Sequence, residues 1–183
     1  RDIGVTGVQT CALPIYRPGL RPTPQRVRET LFNWLGQDLS GWRCLDAFAG
    51  TGALGLEAAS RHASEVLLVE VQRDLAQALR QAVQRLQAGS VSVVHGDGLQ
   101  ALRQQAAGSL DLIFLDPPFA SDLLHDALRL AKASLRPQGW LYLESAQAWS
   151  HQQLDPLGYH LHRQLRAGQV WAHLLHLSRV DGG

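Results

Sequence analysis

Leu45-Asp46-Ala47-Phe48-Ala49-Gly50-Thr51-Gly52-Ala53-Leu54-Gly55 follows a short apolar segment and opens a helix. Its three glycines let the chain turn tightly and approach a ligand closely. At the carboxyl end of a first β-strand such a turn forms one wall of a nucleotide-sized crevice. The spacing Gly50-x-Gly52-x-x-Gly55 matches a dinucleotide fingerprint. Other nucleotide-type cofactors need the same close backbone approach, so the rest of the chain must choose among them.

The chain has 183 residues, 45% of them apolar, which suits one α/β domain with a real core. No stretch approaches the ~20 continuous apolar residues of a membrane-spanning helix. Polar Asp2, Thr6, Gln9 and Thr10 interrupt the start, against the pattern of a signal peptide. Two cysteines, Cys11 and Cys44, make no disulfide framework and fit a reducing cytoplasm. The net charge is only +1, but Lys132 is the one lysine among 17 basic residues. Arg17, Arg21, Arg26 and Arg28 crowd a short window without an acid. Arginine pairs directionally with phosphate, so this patch reads either as a nucleic-acid footprint or as a solvated surface.

Residues 1–15 carry neither strand alternation nor a helical stripe and are set apart as an atypical segment, similar to a translated sequencing-adapter read-through. Residues 16–41 form a basic segment and a helix, and 42–183 the main domain. Thr23-Pro24 predicts a helix start with a hydroxyl cap and proline in the first position. Val27, Leu31 and Leu35 then repeat every fourth residue. An alternating pattern follows: strands over 42–46, 66–70, 91–95, 111–115 and 139–144, with helices over 51–60, 74–86, 98–105 and 123–135. Two last strands, 159–165 and 170–177, meet at Ala167-Gly168 and predict a hairpin. The expectation is a doubly wound parallel sheet made mixed by that hairpin, with helices on both faces.

Asp46, Glu70, Asp97 and Asp116 each close a predicted strand, so all four gather on one edge of the sheet. Any one of them could merely cap a turn. Glu70, twenty residues beyond Gly50, suits ribose hydroxyls, and Asp97 suits an adenine amino group. Asp46 beside the glycine loop suits a ligand with an ammonium group and repels a pyrophosphate, which favours S-adenosylmethionine over NAD. Glu144 closes the fifth strand without an assigned role.

Asp116-Pro117-Pro118-Phe119 breaks the fourth strand abruptly. Two successive prolines fix an extended turn and leave carbonyls without competing donors. A carboxylate, those carbonyls and the Phe119 ring form a trap for a planar exocyclic amine. Such a nitrogen is a poor nucleophile, so orientation and electrostatics would carry the catalysis. The alternative is a rigid link between strand and helix. The eight histidines form no predicted metal constellation, because no acid or cysteine near His160 and His162 completes a ligand set.

Four stretches together narrow the match: Arg21-Pro22-Thr23, the helix from Arg26 to Leu35, Leu45 to Gly52, and Asp116 to Phe119. The sequence resembles the bacterial 16S ribosomal RNA guanine-N2 methyltransferases of the RsmD family from about Arg17 onward. The resemblance implies a class I S-adenosylmethionine-dependent methyltransferase fold with a seven-stranded mixed sheet. It implies methyl transfer to N2 of one guanine of 16S rRNA within a partly assembled small subunit; apart from the resemblance, a cytoplasmic monomer without metal is the default expectation. Asp46, Phe48, Gly50, Thr51 and Gly52 would hold the methionine end, Glu70 the ribose, and Asp97 with Gly98 the adenine. Asp116, Pro117 and Phe119 would receive the flipped guanine, and Arg17, Arg21, Arg26 and Arg28 the RNA phosphates. Residues 1–15 depart from the family, whose members open with a basic, glycine-containing strand. The residues alone leave open adenine-N6 methylation, an NAD-dependent oxidoreductase and a non-catalytic RNA-binding module.

Overall fold

The computed structural model describes residues 23–117 and 123–178. Seven strands form one sheet in the order β3-β2-β1-β4-β5-β7-β6. They are β1 (Arg43–Asp46), β2 (Glu65–Glu70), β3 (Val91–His95), β4 (Leu110–Leu115), β5 (Leu135–Ser145), β6 (Tyr159–Ala167) and β7 (Val170–Leu177). The first five run parallel, and β7 runs antiparallel to both β5 and β6. The helices are α1 (Gln25–Leu35), α2 (Ala53–Ser60), α3 (Arg73–Arg85), α4 (Gly98–Arg103), α5 (Leu123–Ser134) and α6 (His151–Leu154). This is the expected seven-stranded mixed sheet with a terminal hairpin.

The strand order reverses at β1, which pairs with β2 on one side and β4 on the other. That switch point opens a crevice at the carboxyl ends of the strands. Asp46 ends β1 and Asp116 follows β4, so the two flank it. Side chains alternate across the sheet, and two cores result. Val27, Leu31 and Phe32 of α1 pack with Leu54, Leu56, Leu79, Phe114 and Tyr142 on one face. Leu99, Leu102, Ala127, Leu128 and Leu154 pack with Leu45, Ile113, Leu141 and Tyr159 on the other. Phe32, Phe114 and Tyr142 form a chain of tilted and edge-on rings with centroids 6.3 and 6.2 Å apart. Thus α1, set apart in the sequence, shares a core with the sheet.

Two local expectations fail for physical reasons. Strand β5 starts at Leu135, four residues before the predicted strand, because Leu110 pairs with Leu135 before a register shift. That irregularity accommodates Pro137, which lacks a ladder donor. The start of α1 also differs. Pro24 is its N-cap, and no side chain caps the helix. The Thr23 hydroxyl instead donates to Glu144 Oε1 at 2.9 Å, across 121 residues. A buried carboxylate makes a stronger charge-assisted bond than a backbone amide can offer.

Candidate active site

The glycine loop is built by backbone geometry. Gly50 and Gly52 have φ of 51° and 76°, the left-handed region that glycine occupies without Cβ strain. Ala49 N–H donates to the Val69 carbonyl at 2.9 Å, tying the loop to β2. Glu70 braces the loop from the end of β2: Oε2 accepts from Gly50 N–H at 2.9 Å and Oε1 from Gln72 N–H at 2.7 Å. Each carboxylate oxygen keeps a second lone pair for a ligand hydroxyl. Asp97 caps α4, its Oδ1 accepting from Leu99 N–H at 2.6 Å and Gln100 N–H at 3.1 Å. Structural capping and ligand binding are therefore compatible for both acids. Gly98 sits so close to β1 that a Cβ there would meet the Ala47 carbonyl oxygen at 2.1 Å.

These elements enclose a cavity of about 450 Å³ lined by Asp46, Phe48, Gly50, Thr51, Glu70, Asp97, Gly98, Asp116 and Pro117, among others. Gly52 does not join the lining. Its φ starts α2, and a Cβ there would press Leu79 at 2.5 Å. Gly55 likewise lets α2 lie against β2, where a Cβ would meet Leu68 at 2.2 Å. Phe119, with Pro118, lies outside the described residues.

Electrostatics divide the cavity. Asp46 is buried, and desolvation pushes its carboxyl up to about 7, against hydrogen bonds from the backbone of Phe48 and Gly55. Asp116 is pushed up to about 8, first by desolvation and then by the nearby charges of Glu144 and Asp46. Glu144, to which the sequence reading assigned no role, is one of the charges that act on Asp116. It is 5% exposed and accepts hydrogen bonds from Thr23 and from the Tyr142 hydroxyl, the latter at 2.8 Å. Its signal in the sequence was its position at a strand end, the same signal that singled out the other four acids. Four carboxyl groups line the cavity, and no arginine or lysine does so among the described residues.

The basic patch divides as well. Arg17 and Arg21 lie outside the described residues. Arg26 is exposed on α1. Arg28 is half-buried, its Nε 3.7 Å from the buried Glu57 of α2. Arg61 also pairs with Glu57, at 2.8 Å, and stacks over Phe32 with its guanidinium carbon 4.8 Å from the ring centroid. Arg28 and Arg61 thus help dock α1 onto α2.

The histidines also correct an expectation. At the far edge of the sheet, ligand atoms of His151, Asp155 and His160 lie within 4.8 Å of one another. The fold brings His151 of α6 and Asp155 of the following turn up to His160 on β6, a grouping the sequence reading did not make. All three side chains are exposed and lie outside the cavity lining. His173 is structural: its Nε2 accepts from Trp149 N–H at 3.0 Å inside the core.

Known proteins share this architecture and sequence. The chain is 41% identical over 171 residues to ribosomal RNA small subunit methyltransferase D of Escherichia coli, covering 90% of this chain and 83% of that protein. It is 41% identical to the Haemophilus influenzae protein of the same name over 139 residues, 73% of this chain and 72% of that one. The solved structure of the putative methyltransferase yhhF of Escherichia coli superposes with a TM-score of 0.76 at 40% identity, covering 88% of this chain and 89% of that one. A precorrin-6y C5,15-methyltransferase of Geobacter metallireducens, 14% identical, shares the fold with a TM-score of 0.71 over 89% of this chain and 93% of that one. The model of the family described as Conserved hypothetical protein 95 matches residues 9–176, and the chain belongs to that family, the RsmD family its motifs resemble.

Proposed function

We propose that this chain transfers a methyl group from S-adenosylmethionine to the exocyclic N2 of a guanine in the 16S rRNA of an assembling small ribosomal subunit, as a cytoplasmic monomer. The observation that carries the cofactor reading is the cavity's charge: four carboxyl groups and no cation among the described lining residues. A diphosphate would meet carboxyl groups and no cationic side chain among the described lining residues, which argues against NAD. A ligand with an ammonium group, a sulfonium and ribose hydroxyls would meet acceptors. S-adenosylmethionine supplies an electrophilic methyl group on a sulfonium. Asp46 would face its cationic end, Glu70 the ribose and Asp97 the adenine amine.

Asp116 and Pro117 stand on the other side of the same cavity. The Asp116 carboxylate would accept a hydrogen from the acceptor amine, holding its nitrogen towards the methyl group. Positioning and field then supply the rate, since no covalent intermediate is needed. The names of the relatives above support an rRNA acceptor. A stacked or paired guanine must leave its helix to enter the cavity. Arg26, and Arg17 and Arg21 ahead of it in sequence, would meet the phosphates.

The test is methyl incorporation into small subunits, deproteinised rRNA and DNA, followed by nucleoside analysis. N2-methylguanine in small subunits is the expected product. Methyladenine without it would replace this reading by adenine-N6 methylation. Calorimetric binding of NAD in place of S-adenosylmethionine would overturn the cofactor.

A further inference from the structure

We propose that Glu144 is a positioning residue that pins Thr23, at the entry of α1, beside Asp116, coupling RNA engagement to the geometry at Asp116. The inference rests on the methyltransferase reading and adds a part to it. Glu144 is the last residue but one of β5, beside β4, where Leu143 pairs with Leu115. It therefore stands next to Asp116 at the edge of the sheet. Strand alternation puts Asp46, Asp116 and Glu144 on the face that α1 covers, the side of Phe114 and Tyr142.

Thr23 is the joint. It is buried, lines the cavity and gives its hydroxyl to Glu144, not to the helix it precedes. Tyr142 donates to the same oxygen from below, and its ring is locked against Phe114. Glu144 Oε1 thus has two hydroxyl donors from separate elements, and the rigid one fixes where the other must lie. Arg26 stands three residues after Thr23, exposed on α1. A phosphate held by Arg26 is thereby mechanically linked to the wall of the pocket that receives the base.

The charge of Glu144 acts on the same pocket. Glu144 and Asp46 face Asp116, Tyr142 faces Glu144 from its own strand, and Glu70 faces Asp46 from β2. On the same face, α1 and α2 contribute Arg28 and Glu57, which are paired with each other. Among the described residues, the charges that act on Asp116 are those of Glu144 and Asp46, and both disfavour its ionised form. Removing the Glu144 charge makes the Asp116 proton easier to lose.

Three full-length variants test this. Thr23→Val removes the donor, Thr23→Ser restores it, and Glu144→Gln keeps an acceptor oxygen while removing the charge. S-adenosylmethionine affinity is measured by calorimetry, small-subunit affinity by filter binding and turnover by methyl incorporation. Thermal midpoints establish that each variant folds. Thr23→Val is expected to keep cofactor affinity while kcat/KM for small subunits falls about tenfold, the order of one hydrogen bond to a charged group. Thr23→Ser should recover most of that loss. Glu144→Gln should move the acid limb of kcat/KM to lower pH. Wild-type kcat/KM in Thr23→Val, no recovery in Thr23→Ser, or an unmoved limb in Glu144→Gln would each overturn the proposal. A wild-type chain that binds small subunits without methylating them breaks the methylation reading instead, and the pinning is then decided by whether Thr23→Val weakens that binding.

Discussion

The two halves of the crevice use carboxyl groups in opposite ways. On the β1–β3 side, Glu70 and Asp97 are surrounded by backbone N–H donors, which hold their oxygens in place before any ligand arrives. On the β4–β5 side, Asp116 faces Glu144 and Asp46, and its pKa rises to about 8. One half is organised by hydrogen bonds within a continuous stretch of chain. The other is held in electrostatic tension by residues far apart in sequence. The first suits constant recognition of a cofactor; the second suits a group whose charge must respond to what binds.

The largest expected effect breaks the comparison by removing the tense side. Asp116→Ala should lower methyl transfer by about a thousandfold, the scale of losing a preorganised electrostatic contact, while cofactor affinity changes little. Turnover near that of the wild type would eliminate the amine trap. Gly98→Ala attacks the organised side, where the new Cβ meets the Ala47 carbonyl oxygen at 2.1 Å. It should destabilise the fold by about 1–3 kcal/mol, the usual cost of overpacking, and weaken cofactor binding. Unchanged denaturation and calorimetry would show that α4 shifts freely.

The pH dependence of stability sharpens the contrast. Asp46 and Asp116 hold protons more tightly in the folded chain than at their ordinary value of 3.8. Their stabilising contribution is complete below that value and is lost as the pH rises through about 7 and about 8. Asp116→Asn, which does not titrate, should match the wild type in thermal midpoint near pH 4 and exceed it at pH 8.5, by about 2–4 °C for each kcal/mol relieved. A gap that grows towards acid would contradict a buried proton. The smallest effect is kinetic. The acid limb of kcat/KM should lie near 7 to 8, the free-enzyme values of Asp46 and Asp116. The limb of kcat should lie lower, because a bound sulfonium favours the ionised carboxyl. Coincident limbs would place the cation away from Asp116.

The organised side was almost fully legible in the sequence. Gly50, Glu70, Asp97 and Gly98 lie at strand ends with fixed local consequences, and their turns follow from local geometry. Gly52 was legible as a turn; that its Cα also packs closely against Leu79 of α3 was not, because that contact is made only in the fold. Arg28 looked the same as Arg26 in sequence, yet of these two only Arg28 reaches Glu57 on α2, which Arg61 also engages. Thr23 read as a helix cap because the local rule compares a hydroxyl only with its neighbours; its true partner is 121 residues away.

By itself, then, the sequence determined the alternation of strands and helices, the acids at their ends and the turn at Asp116. Hydrophobic period, glycine freedom and proline restriction act over a few residues and need no tertiary context. Only the tertiary structure decided that β7 inserts between β5 and β6, that α1 closes over the acids, and that Glu144 stands beside Asp116 with Thr23 and Tyr142 on one of its oxygens. Burial and Coulomb interaction depend on distance in space, and the strands that bring these carboxyl groups together are separated along the chain by whole helices.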